Sequence, residues 1–137
     1  MTAIQFGLQI GIAALAGLVI GLERELRGKS AGLKTNALVA TGACVFLLIS
    51  FEFKGLPYVD ATRVLGQIVT GIGFIGAGTI LHHKSSIKGL TTAATVWCSA
   101  AAGCLAGLQL YWELVILGVL ILTINYGLSF LEKKLPK

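Results

Sequence analysis

Residues 4–22 have the sequence IQFGLQIGIAALAGLVIGL, and this stretch decides the fold class. It contains no charged side chain, and its polar side chains are the amides of Gln5 and Gln9. About 20 apolar residues in a helix are enough to cross the hydrocarbon layer of a bilayer. No basic segment precedes the stretch, since the first charged residue is Glu23, and a cleavable secretory signal is therefore not indicated. The stretch predicts a retained transmembrane helix.

Four more apolar segments follow the first. Of the 137 residues, 55% are hydrophobic and 12% are charged, whereas a soluble domain has about 25% charged residues. The sequence therefore predicts an all-α integral membrane protein, with about five transmembrane helices in one domain over residues 1–137. The five predicted helices, numbered as segments in chain order, cover approximately 4–22, 36–53, 61–81, 90–108 and 112–131.

The basic residues predict the orientation of the bundle. Five spans leave only Lys54 and Arg63 in one set of loops and tails, against nine cations in the other set. Cytoplasmic loops carry an excess of lysine and arginine. We therefore expect the N-terminus outside and the C-terminus in the cytoplasm. The nine cations of the predicted cytoplasmic set are Arg24, Arg27, Lys29, Lys34, Lys84, Lys88, Lys133, Lys134 and Lys137.

The composition and the motifs argue against several other classes of protein. The net charge of +5 comes from cations at the ends of apolar segments, where they set topology and meet lipid headgroups, so we predict no nucleic-acid binding. Residues 71–76 match the pattern GxGxxG, but no strand precedes them and residues 85–100 contain no carboxylate. They therefore do not predict a dinucleotide site. No nucleophile–base pair is evident, and we predict neither an enzyme nor a cofactor.

The cysteines and histidines do not predict a metal site. Cys44, Cys98 and Cys104 lie inside apolar runs and form no CxxC pair, which is typical of small packing residues. His82 and His83 are adjacent, and a metal site would need further ligands from elsewhere in the chain. We interpret both histidines as ordinary interfacial residues.

Glycines are the main packing signal, since 18 of them are present and most lie in apolar segments. Lipid gives no hydrophobic drive between helices, so bundles depend on close backbone packing at small residues and on interhelical hydrogen bonds. We expect segments one, three and four to form the core, segment two to be intermediate and segment five to face lipid. The glycine faces exceed the needs of five helices, which favours a homodimer or similar oligomer. The candidate packing glycines are Gly17, Gly21, Gly66, Gly71, Gly73, Gly76, Gly78, Gly103 and Gly107.

Charged and polar residues at the segment ends are the candidate functional positions. Glu23 and Arg27 are spaced to pair on a helix, and Asp60 is placed to cap segment three and to pair with Arg63. Either these groups are solvated helix ends or they form a charge network that links helices or contacts a partner. The charged candidates are Glu23, Arg24, Glu25, Arg27, Asp60 and Arg63. The candidates for hydrogen bonds within the membrane are Asn36, Gln67, Thr91, Thr92, Thr95 and Asn125.

Three blocks of sequence together resemble the MgtC/SapB family of bacterial inner-membrane proteins. The first is GLERE at 21–25, continuing into AGLKT at 31–35. The second is Asp60 and Arg63 leading into residues 67–78, QIVTGIGFIGAG. The third is GLTTAA at 89–94, followed by Trp97, and the chain departs from the family at Lys34, where members often have arginine.

The resemblance implies a regulatory role more than a transport role. Family members are associated with adaptation to low magnesium, with acid stress and with survival inside host cells, and they are thought to act on other membrane proteins, including ATP synthase. A transporter or channel for Mg²⁺ or another ion, entered near Asp60 and Arg63, is the alternative. A third hypothesis is a module that orients a cytoplasmic domain, because many members continue into an ACT-like domain whereas this chain stops after a short basic tail. The expected partners are membrane lipid, a second copy and other membrane proteins.

Overall fold

The computed structural model describes residues 1–58, 60–83 and 86–128, and these form mainly helices. A π-helical turn, Ile124–Leu128, continues the fifth helix directly. The predicted helices are confirmed in number and order, but the first extends four residues beyond its predicted end. The last predicted positions of segment five, 129–131, lie outside the described residues. The helices are α1 (Ala3–Leu26), α2 (Leu33–Glu52), α3 (Ala61–Gly78), α4 (Leu90–Gly107) and α5 (Tyr111–Thr123).

Local sequence explains where several helices begin. Thr2 and Gln5 form a reciprocal capping box that satisfies backbone donors at the start of α1. Asp60 caps α3, since its side chain accepts a hydrogen bond from the backbone N–H of Thr62 at 2.9 Å. Gly89 precedes α4 with a φ of 92°, a conformation that residues with a Cβ rarely adopt. The glycine thus allows the sharp entry into α4.

A short hairpin joins α3 to α4. Strands β1 (Leu81–His83) and β2 (Ser86–Lys88) pair in antiparallel register, with Leu81 opposite Lys88. These two three-residue strands are the sheet of the described residues, and the predicted all-α fold class is confirmed. The side chains of His82 and His83, and the whole of Lys84, lie outside the described part of the chain.

The core lies between α1, α2 and α4, where glycines allow backbone to approach backbone. A Cβ on Gly17 would lie 2.7 Å from the Cα of Ala37, and a Cβ on Gly21 would lie 2.7 Å from the carbonyl oxygen of Gly32. On α4, a Cβ on Gly103 would lie 2.9 Å from the Cα of Ala40. These distances are shorter than real Cβ contacts, so side chains larger than hydrogen do not fit without moving a helix.

Segment three joins the core as predicted, but not through its small-residue face. α3 turns Val64, Ile68 and Ile72 toward α2 and α4, and the two isoleucines are buried. Its opposite face is exposed, and that face carries Gly66, Thr70, Gly73 and Ala77. Segment two, predicted as intermediate, also lies in the core. The physical reason for the face that α3 uses is that its branched side chains pack against α2 and α4, which leaves its small residues outside.

Four helices are long and apolar enough to span a membrane, by length and composition. They are Ala3–Leu26, Leu33–Glu52, Leu90–Gly107 and Tyr111–Leu128. The fifth helix, α3, has 18 residues and includes Arg63 and Gln67, which lower its mean hydropathy. Large apolar side chains are exposed over the outer surface of the bundle, including Ile4 at 77% and Ile116 at 65%. Such a surface suits lipid rather than water, and the chain is an all-α, multi-pass membrane protein.

The helices alternate in direction between two ends of the bundle. At one end the N-terminal ammonium lies 3.6 Å from the carboxylate of Glu52 at the end of α2. At the other end the last turn of α1 meets the first turn of α4 through Arg24 and Thr92. The second end is the one that the charge distribution assigns to the cytoplasm, an orientation that stays a prediction.

Candidate functional site

Glu23 joins the end of α1 to the π-helical turn after α5. The residue is 2% exposed. One carboxylate oxygen accepts a hydrogen bond from the Arg27 guanidinium at 3.1 Å, and the other accepts from the Asn125 amide at 3.0 Å. Two charge-assisted bonds compensate for the desolvation of this carboxylate. The predicted pairing of Glu23 with Arg27 is confirmed, and the charges form a network that links helices.

Arg27 is the second link between α1 and the π-helical turn. Its guanidinium also donates to the backbone carbonyl of Asn125 and lies 5.5 Å from the ring centroid of Tyr126. A cation over an aromatic face is attracted by the ring quadrupole. π-Helical turns frequently occur at functional sites, and this one positions both partners of Arg27.

Arg24 points the other way, toward α4. It is 4% exposed, and its Nη2 donates a 2.6 Å hydrogen bond to the Thr92 hydroxyl. The Ser30 hydroxyl lies 3.4 Å from the same Thr92 oxygen. The Nε of Arg24 has no hydrogen-bond partner among the described residues. Within residues 1–58, 60–83 and 86–128, no carboxylate forms an ion pair with Arg24.

A cleft of about 760 Å³ opens beside Arg24, between the end of α1, the start of α4 and the π-helical turn. We call it the basic cleft. The cations that line it are Arg24, Arg27, Lys29 and Lys88, and its floor includes the first turn of α4. No aspartate or glutamate is among its lining residues in the described part of the chain.

A second polar contact lies inside the bundle, away from the basic cleft. Asn36 on α2 and Ser99 on α4 are both fully buried. The Ser99 hydroxyl donates to the Asn36 amide oxygen at 2.7 Å, and the Asn36 amide nitrogen donates to the carbonyls of Ala31 and Gly32. Because nearly all polar atoms of Asn36 and Ser99 are hydrogen-bonded within the bundle, this contact fixes how α2 packs on α4 and does not bind a ligand.

Asp60 lies far from this network, at the start of α3. Hydrogen bonds from the side chain and the backbone of Thr62 hold the pKa of the Asp60 carboxyl below its usual value, and the charge of Arg63 lowers it further. The predicted ion pair between Asp60 and Arg63 does not form, because the carboxylate is used as the helix cap instead. The Arg63 side chain is exposed.

The structure brings together only part of the predicted set. Glu23, Arg24, Arg27 and Thr92 meet at one end, whereas Glu25 is exposed and accepts a 3.3 Å hydrogen bond from the backbone of Leu33. Thr91 is exposed, and its carbonyl accepts a hydrogen bond from the Thr95 hydroxyl. Four of the predicted packing glycines, Gly66, Gly71, Gly73 and Gly78, have no atom within 4 Å of an added Cβ. By contrast, Gly76 would contact Ala93 at 3.5 Å and Gly107 would contact Leu47 at 3.3 Å.

Sequence reasoning missed two polar residues that the structure places in helix contacts. Gln9 is 3% exposed, and its amide donates to the carbonyl of Gly107 at 3.2 Å. Its position as an amide within an apolar run was the signal. Ser30 reaches Thr92 from the turn after α1, and nothing in its local sequence indicates that contact. Within the described residues, no group of three or more His, Cys, Asp or Glu side chains could hold a metal ion.

Comparison with known proteins gives consistent matches over most of the chain. The model of the MgtC family matches residues 10–134. Protein MgtC of Salmonella typhimurium is 47% identical over 113 residues, which cover 82% of this chain and 48% of that protein. The putative magnesium transporter YhiD of Escherichia coli K12 is 42% identical over 140 residues, or 95% of this chain and 64% of that protein.

An uncharacterised protein of Synechocystis is 44% identical over 123 residues, which cover 88% of this chain and 51% of that protein. The chain thus spans between about half and two thirds of the length of these relatives. No solved structure gives a significant match.

Proposed function

The chain belongs to the MgtC family, and on that premise we propose that it is a membrane regulator that acts by binding other membrane proteins. It works in a bacterial inner membrane during adaptation to low magnesium, acid stress or life inside a host cell. The relatives' names and the family match support the membrane and magnesium context. The mode of action rests on the surface of α3.

The exposed face of α3 is the observation that carries the proposal. We call it the α3 face, and it consists of Arg63, Gly66, Gln67, Thr70, Gly73 and Ala77, all exposed in the single chain. The Gln67 amide has no hydrogen bond to the described residues. Polar and charged groups are costly in lipid and usually face protein or a water-filled cavity. A protein partner that covers this face would remove the cost.

The first partner is a second copy of the chain. Small residues at i and i+4 spacing let two helix backbones approach closely, as in right-handed membrane dimers. A two-fold axis beside α3 would place Gln67 of each copy near the other, where the two amides can bond reciprocally. The same face suits a transmembrane helix of a different protein, which is how a regulator would exchange partners such as ATP synthase.

In-cell photocrosslinking tests this proposal. A photoreactive amino acid replaces Thr70 on the α3 face in one variant and Val119, which is 59% exposed on α5, in the matched control. The Thr70 variant should give a discrete protein adduct of twice the chain mass, or of the chain plus another membrane protein, and the Val119 variant should not. Equal labelling at both positions, or lipid adducts alone at Thr70, would overturn the proposal.

Ion transport is the second candidate function, favoured by a cavity of about 540 Å³ between α2 and α3 that contains the Gln67 amide. The observation is weaker, because the other residues that line this cavity are apolar or glycine. Ion flux into liposomes that contain only this protein separates the candidates. Mg²⁺ flux that is lost in Asp60→Asn would support transport, and the absence of flux together with a Thr70 adduct would support regulation.

A further inference from the structure

The first turn of α4 forms one wall of the basic cleft, and its backbone donors lack a side-chain cap. The N-cap residue is Gly89, which has no side chain that could accept from the N–H groups of Thr91 or Thr92. The N-terminus of a helix carries a partial positive charge and unsatisfied N–H groups. These groups together favour an anion.

Arg24 gives a second and independent indication at the same place. Its guanidinium is removed from water, its Nε is unpartnered, and no ion pair compensates its charge in the described part of the chain. Glu23 is its neighbour in sequence, but both Glu23 oxygens are bonded elsewhere, to Arg27 and Asn125. A buried charge without a counterion is costly. An anion from outside the chain would supply the counterion that the described residues do not.

The remaining charges of the basic cleft have the same sign. Lys29 follows α1, Lys88 ends β2, and both side chains are exposed at the mouth. Arg27 is largely neutralised by Glu23. Within residues 1–58, 60–83 and 86–128, the cleft thus offers three cations without a carboxylate partner, together with a helix N-terminus. A phosphate group matches this combination, because it is anionic and accepts several hydrogen bonds.

The rim of the basic cleft indicates where the phosphate comes from. Four apolar residues line the cleft beside the cations, and each is about half exposed: Ile87 at 54%, Leu90 at 57%, Ile124 at 47% and Leu128 at 52%. A soluble phosphate compound gains nothing from such a rim. A phospholipid does, because its acyl chains continue from the phosphate along apolar surface.

We propose that the basic cleft is a binding site for the phosphate headgroup of an anionic phospholipid. The phosphate lies between the Arg24 guanidinium and the first turn of α4, Lys29 and Lys88 close over it, and the acyl chains follow the apolar rim. Basic pockets between transmembrane helices on the cytoplasmic side bind such headgroups. The site is separate from the α3 face and does not depend on the regulatory proposal.

Native mass spectrometry of the full chain in detergent micelles tests the site. Cardiolipin, phosphatidylglycerol and phosphatidylcholine are titrated in turn, and the bound fraction is measured for each. We expect the two anionic lipids to bind at least about fivefold more tightly than phosphatidylcholine. Lys88→Gln should weaken them by about fivefold, the effect of one surface cation. Lys54→Gln, an equal loss of charge at the other end of the bundle, should leave binding unchanged.

Arg24→Gln removes the central cation and should abolish the preference for anionic lipid. Because Arg24 is buried and that variant can fail to fold, Lys29→Gln is the second variant, with an expected loss equal to that of Lys88→Gln. Equal losses in Lys54→Gln and Lys88→Gln would overturn the site, since the binding would then be non-specific. Displacement of cardiolipin by millimolar inorganic phosphate or glycerol phosphate would also overturn it, because the occupant would then be soluble.

Discussion

Replacement of Gly17 by alanine should weaken the bundle, whereas the same replacement at Gly11 in the same helix should not. A Cβ on Gly17 would lie 2.7 Å from the Cα of Ala37 and closer still to the carbonyl oxygen of Asn36. Both obstacles are backbone atoms of α2, which no change of rotamer can move. A Cβ on Gly11 would have no atom within 4 Å.

The size of the effect follows from the distance that α2 has to move. Ordinary contact begins at 3.4 Å, so α1 and α2 must separate by at least roughly 0.7 Å, a gap that forfeits between a quarter and a half of each neighbouring dispersion contact. Overpacking of this kind costs about 1–3 kcal/mol. Alanine also has a higher helix propensity than glycine, by up to about 1 kcal/mol. That gain is common to both variants and cancels when they are compared.

The free energy of unfolding is measured by titration of SDS into mixed micelles, with helical circular dichroism as the signal. Gly17→Ala should be less stable than Gly11→Ala by about 1–3 kcal/mol. A difference below about 0.5 kcal/mol, the usual effect of a surface substitution, would refute the reasoning. It would mean that the backbone approach at Gly17 does not limit the packing of α1 on α2.

Three further predictions concern polar contacts. Ser99→Ala removes the donor to the Asn36 amide and should lower the unfolding free energy by about 0.6–1.7 kcal/mol in the same titration; no loss would contradict it. Glu23→Gln leaves the partly buried Arg27 without its counterion, so a loss of about 3 kcal/mol is expected, and unchanged stability would show that the charge pair contributes nothing. The folded-state pKa of Asp60 is lowered, so its stabilisation is present at neutral pH and disappears as the pH falls through that lowered value. Acid titration of helicity should show this loss in the wild type, whereas Asp60→Asn, which keeps a capping oxygen, should show less pH dependence.

The end of α1 shows what the sequence can predict. The spacing of Glu23 and Arg27 predicts their pairing, because helical geometry alone places residues four apart on one face. Gly17 and Gly21 are also four residues apart, so they lie on one face and predict a close helix contact there. Predictions of this kind need only the roughly 3.6-residue period of a single helix. Arg24 contacts Thr92, which lies 68 positions away in the sequence. Both residues were predicted as candidate functional positions, but their contact could not be predicted because it depends on the tertiary arrangement of the helices.

The third helix shows why the rest could not be predicted. Its small-residue face and its Val64, Ile68, Ile72 stripe are both apolar enough to face a neighbouring helix, and the sequence does not say which neighbour each face meets. Small residues indicate close packing, but the packing can be within a chain or between chains. The single chain uses the branched stripe. The exposed face is therefore where we propose that a partner binds.

Orientation in the membrane and the basic cleft depend on overlapping sets of cations. Arg24, Arg27, Lys29 and Lys88 line the cleft, and the same four belong to the nine that predict a cytoplasmic end. In a membrane, a variant that loses contact with anionic lipid could therefore have lost its orientation instead, whereas detergent micelles have no sides and the titration in them reports on the cleft alone. Lys88→Gln leaves the bias of cations at eight against two, so we expect its orientation to be unchanged. Lipid binding that falls about fivefold in micelles for Lys88→Gln, while the cysteine of Lys54→Cys stays accessible from the outer side of the membrane, would assign the effect to the cleft. Unchanged binding in micelles together with inverted accessibility of that cysteine would assign any loss in the membrane to orientation and refute the headgroup site.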